Sequence, residues 1–163
     1  DTFIGIAISV AVNYLVFTPN IHDRISDKAR IIEDDVREKL DFIALNLPVE
    51  GLHHLRNHIN SYEEFLKHLE KESILYREDS SKHNYLLKAL RGYEIIHVYL
   101  ESLSLINNVN CKISKENLEG ISLITGKNYA PMKESSDNNE ENVIYNYDNK
   151  KIIKAYNSIV NCK

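Results

Sequence analysis

Eight apolar residues between positions 21 and 47 recur at steps of 4, 4, 3, 4, 4, 3 and 4: Ile21, Ile25, Ala29, Ile32, Val36, Leu40, Ile43 and Leu47. Steps of three and four keep side chains on one line along an α-helix, whereas a half-buried strand needs steps of two. So narrow a stripe must be covered by one or two further helices. Acidic and basic residues fill the other faces. Glu33 precedes Arg37 and Asp35 precedes Lys39, each by four residues, the order that favours pairing on a helix surface. Asn20 is the expected N-cap and Pro48 the expected stop.

Two further stretches keep the same spacing. After the turn at 48–51, Leu52, Leu55, Ile59, Tyr62, Leu66 and Leu69 form a second stripe. Ser61 and Glu64 make a capping box, so this region reads as one helix or as two. The polar cluster at 78–82 marks the next turn, and a third long helix is expected from His83 to about Asn107. Its buried face is Leu86, Leu90, Tyr93, Ile96, Leu100 and Leu103, broadened by Leu87, Ile95, Tyr99 and Ile106. Five Gly, three Pro and no Trp in 163 residues leave few breaks, which favours long helices. Long helices with short connections predict an antiparallel bundle. Beyond it, Ser114 caps a short helix that Gly126 ends, 127–149 reads as a flexible polar loop, and 150–163 as a last helix. Only the run Val143 to Tyr147 has any strand character.

Ahead of the first stripe, residues 3–17 (FIGIAISVAVNYLVF) carry no charge. As a helix they reach roughly 22 Å, short of a hydrocarbon core of about 30 Å. The chain starts at Asp1, not Met, and reads as an excerpt whose earlier residues would lengthen the run. Gly5 and Ser9, and Ala7 and Ala11, are spaced four apart, which lets helices approach closely in lipid as well as in soluble cores. Tyr14 suits a membrane interface, and Pro19 closes the segment. The expected organisation is therefore 1–19 as the end of a transmembrane region, 20–126 as a helical bundle, then loop and terminal helix: an all-α chain. The competing reading makes 3–17 the core helix of a soluble bundle.

Little in the sequence points to chemistry. A net charge of −4 with both signs interspersed argues against nucleic acid. Cys111 and Cys162 have no metal-site or disulfide-framework spacing. No nucleophile elbow, phosphate-binding glycine loop, Cys–His pair or paired catalytic carboxylates occur, so neither enzymatic activity nor a cofactor is expected. His54 and His58 are one helical turn apart with His68 near the same face, a spacing able to hold zinc or copper. No metalloprotease glutamate accompanies them, and surface histidines are the simpler reading. If the first helix spans, Asp1 lies near the far boundary, facing a water-filled path or capping the helix in the headgroup layer. Asn13 would then hydrogen-bond a neighbouring helix; these two are the only substrate-binding candidates.

The segment DTFIGIAISVAVNYLVFTPN, with Asp1, Thr2, Gly5, Asn13 and Pro19 set in an apolar helix, resembles the last membrane helix of the aromatic acid exporter family. That family is related to the fusaric acid resistance proteins, and the likeness extends architecturally to about Asn107. The resemblance implies a bacterial inner-membrane protein with membrane helices upstream in the same chain, exporting small aromatic or other organic acids. It implies a helical tail for assembly, as a homo-oligomer, or for regulation. Independently, Arg24, Lys28, Arg30, Arg37 and Lys39 fall within about 25 residues of the apolar run, which places residues after about Pro19 in the cytoplasm under the positive-inside rule.

Overall fold

Ile25, Ile32, Val36, Leu40 and Ile43 are all buried, the last four completely, as their spacing requires. They lie on helix α1, which runs from Thr2 to Ala44 and is followed by α2 (Leu52–Glu72), α3 (Ser80–Leu105), α4 (Lys115–Thr125) and α5 (Glu140–Val160). The computed structural model describes residues 2–72, 80–106, 111–130 and 140–161, with side chains at 23–71, 84–106, 111–130 and 140–161. Among these residues the chain is all-α, with no strand.

Helix α1 differs from expectation at both ends. It passes through Pro19 without a break, so the boundary expected between 19 and 20 falls inside one helix. An interior proline forfeits one backbone hydrogen bond and crowds the preceding turn. Here several turns of helix-forming sequence flank it on both sides, and propagation from each side is far easier than a new nucleation. The C-terminus comes early, at Ala44. Asn46 takes a left-handed φ of 56°, its N–H donates to Ile43 O at 3.1 Å, and Leu47 N–H donates to Phe42 O at 2.8 Å. That pair of bonds is a Schellman cap, and it leaves Leu47 exposed at 45 %.

Contacts between elements give the topology. Lys28 Nζ donates to Ser61 Oγ at 2.7 Å and His58 Nδ1 lies 2.6 Å from Asp35, so α1 and α2 run antiparallel. These two contacts also redirect residues whose local pairing was expected. Ser61 serves α1 within one continuous α2, and Asp35 faces His58 while Lys39 meets Glu38 at 2.6 Å. Helices α3 and α5 are antiparallel as well, with Gly92 against Ile159 at one end and Ser102 donating to Asp148 at 2.6 Å at the other. A Cβ on Gly92 would stand 2.5 Å from Ile159 Cγ1; the missing side chain is what lets α5 come in. Helix α4 bridges α1 and α5, and Lys127 and Tyr129, just past its end, both bind Asp41 of α1.

The caps of α4 are as expected. Ser114 accepts a bond from Asn117 N–H, and Gly126 takes the left-handed C-terminal position at φ 71°. Helix α5 corrects the expected loop: it begins at Glu140, so 140–149, including the strand-like run Val143 to Tyr147, is helical. Tyr145 and Asn149 are completely buried and Asp148 is nearly so, which fixes this first half of α5 to the bundle. The expected turn at 78–82 is helical from Ser80; 73–79 and 131–139 lie outside the described residues.

Candidate functional site

Helices α1 and α3 run in the same direction with α2 packed against both, and Tyr93 of α3 reaches Glu33 of α1. Two small residues widen the gap, Ala29 on α1 and Ala89 on α3. On α3, Tyr85, Ala89 and Tyr93 are spaced one turn apart, so a methyl group lies between two phenols on the same face. On α1, the ridge beside the buried stripe carries Asp23, Asp27, Arg30 and Glu33, again at helical spacing. Tyr62 of α2 completes the described walls of a cleft of about 720 Å³. That size lies within the range of roughly 300–1,000 Å³ usual for small-molecule sites.

The inner end is aromatic and rigid. Tyr62 and Tyr93 are each 1 % exposed and meet edge to face, with ring centres 5.9 Å apart. Tyr93 Oη donates to Glu33 Oε1 at 3.3 Å. Burial pushes both phenols well above their ordinary ionisation range. The neighbouring Tyr85 and Glu33 reinforce this at Tyr62, and Glu33 followed by the other two phenols does so at Tyr93. Both rings are therefore neutral at any physiological pH. The outer rim is charged and exposed, and there Arg30 Nη2 pairs with Asp27 Oδ1 at 3.0 Å. The described lining residues include three carboxylates (Asp23, Asp27, Glu33) and one guanidinium (Arg30).

The residues singled out in the sequence do not meet here. Asp1 and the side chain of Asn13 lie outside the described residues. His54, His58 and His68 all sit on α2 and do not converge. His58 pairs with Asp35, and the His54 ring lies 3.9 Å from the tilted ring of its neighbour His53. His68 is about 15 Å farther along the helix axis than His58. No group of three or more His, Cys, Asp or Glu able to hold a metal ion occurs among the described residues. Sequence reasoning placed Tyr62 and Tyr93 in the core through their helical spacing but had no signal that a ridge of α1 would stand across from them.

A second polar centre joins α4 to α5. Asn146 Nδ2 donates to Lys112 O at 2.9 Å, and its Oδ1 accepts from Ser114 N–H at 2.6 Å. Asn117 Nδ2 donates to Asn146 O at 2.8 Å. These bonds satisfy backbone groups in the segment leading into α4 and on α5, a structural task. Nearby, Cys111 is completely buried, and burial, with Glu141, raises its thiol away from the reactive thiolate. No protein-family model, curated protein or solved structure matches the chain.

Proposed function

We propose that the chain is the helical tail of an integral membrane transporter resembling the exporters of aromatic and other organic acids. In this reading the apolar start of α1 lies in the bacterial inner membrane beside other membrane helices of the same chain. Residues after about Pro19 are cytoplasmic, and the bundle serves assembly, as a homo-oligomer, or regulation. One observation carries the proposal. The uncharged run 3–17 and the bundle stripe from Ile25 to Ile43 belong to a single helix of 43 residues, with no linker between them. A helix of that length spans about 65 Å. A rigid rod of this kind transmits a displacement at its apolar end directly to the bundle. The full-length protein is expected to stay with membranes through an alkaline carbonate wash; recovery in the soluble fraction would refute the membrane role.

A second reading, a soluble helical interaction module without transport activity, is favoured by two features. The bundle buries its own stripes, and over the residues whose side chains are described no helix is long and apolar enough to cross a membrane. The side chains of 3–17 lie outside that set.

A further inference from the structure

We propose that two copies of this chain pair through the outer face of α3, with the two α3 helices antiparallel. The inference deepens the assembly role proposed above and rests on that role, though not on the membrane. Val98 and Leu105 of α3 are exposed, Leu105 at 88 %, and Ile95, expected at the edge of the buried face, is exposed as well. Half-buried Leu87 and exposed Arg91 belong to the same face. Leu87, Arg91, Val98 and Leu105 fall within about 40° of one line along the helix, with Glu101 on one flank and Ile95 on the other. An apolar stripe exposed along a helix is a surface for contact with a further helix.

The charges identify the partner as a second copy. A two-fold axis at the level of Ile96 sets residue 87 beside 105 and residue 91 beside 101, because each pair lies at equal distances on either side of 96. Leu87 then meets Leu105 of the second copy and Arg91 meets Glu101 of the second copy, each contact occurring twice. Ile95 and Val98 of both copies fill the middle. Glu94, three residues beyond Arg91, adds another carboxylate beside the same guanidinium. The Glu101 side chain is 59 % exposed, so its approach to His97 Nδ1 at 3.5 Å leaves it open to the second copy. Parallel pairing would set Arg91 against Arg91 and Glu101 against Glu101, so the charges select the antiparallel arrangement. On the flank of Ile95, Ser102 donates to Asp148 at 2.6 Å and brings α5 alongside, where exposed Ile144 and Tyr147 extend the apolar surface.

Sedimentation velocity of the full-length protein, in detergent if it is recovered with membranes, reads the pairing directly. A dimer is expected. Arg91→Glu and Glu101→Arg should each weaken dimerisation by about tenfold or more, and both together in one chain should restore it to within about threefold. The effects of the single charge changes should shrink in high salt, whereas Leu105→Asp should weaken the dimer at any salt concentration. All three side chains are exposed, and unchanged helical circular dichroism checks that each variant is folded. A monomer at concentrations up to about 100 µM, a dimer indifferent to Arg91→Glu and Leu105→Asp, or single charge changes that the double variant fails to reverse would overturn the proposal. A protein that resists the carbonate wash yet stays monomeric loses this interface alone; a dimer recovered in the soluble fraction loses the membrane role alone.

Discussion

Tyr62, Tyr93 and Tyr145 place three phenols where ionisation is penalised, and this ties stability to alkaline pH. Burial is the leading cause at each; at Tyr145, pushed up to about 12, Cys111 adds to it and the nearby Asn149 amide works against it. The folded state favours the neutral phenol, whereas an unfolded chain ionises near the ordinary value of 10.0. Below that pH both states hold the proton and the phenols add no pH dependence. Above it the unfolded state sheds protons that the folded state keeps, so stability falls with rising pH. Thermal melts should therefore hold steady to about pH 10 and decline beyond it, with a shallower decline in Tyr93→Phe. Phenolate absorbance from these rings should rise together with unfolding. Phenolate at Tyr62, Tyr93 or Tyr145 in the intact fold near pH 10 would contradict the burial. The positions of these tyrosines were legible as core positions from helical spacing. Their assembly into a cleft was not, because Ala29, Ala89 and the acidic ridge of α1 become neighbours only through packing between helices distant in sequence.

At the scale of elements, α3 and α5 meet tightly at Gly92, where a Cβ would stand 2.5 Å from Ile159 Cγ1. Alanine there gains helix propensity of about 1 kcal/mol but drives a methyl group into Ile159, itself 3 % exposed. Overpacking of this kind costs about 1–3 kcal/mol. Gly92→Ala is expected to destabilise by about 1–2 kcal/mol in urea unfolding, the crowding outweighing the propensity. Ile159→Ala should cost less in that background than alone, since it makes room for the added methyl. Additive costs would mean that the two helices do not meet at this point. Nothing in the sequence marks Gly92 as a contact; a mid-helix glycine declares itself only once the partner helix is known. The caps of α4 were legible because Ser114 and Gly126 act on adjacent backbone. The start of α5 was not. Asn142, Asn146, Asp148 and Asn149 look like a solvated loop, yet Asn146 bonds the segment before α4, and Asp148 and Asn149 are buried. Asp148 takes a bond from Ser102 and Asn149 gives one to Tyr145 O, and a reading by hydropathy assigns such residues to water.

For the whole molecule, the all-α class and most of each core stripe followed from spacing, because the long helices each bury a line of apolar side chains among the described residues. The division of α1 at Pro19 did not hold, since a single proline is too weak a stop between two strong helical segments. This continuity joins the architecture to the proposed role: the apolar start and the bundle share one rod. Hydrogen exchange read by mass spectrometry, on the full-length protein with and without lipid nanodiscs, distinguishes the two readings directly. If α1 begins in lipid, amides of residues 3–17 are protected only when lipid is present, while 25–43 are protected in both conditions. Equal, strong protection of 3–17 without lipid would make it the core helix of a water-soluble bundle and contradict the account.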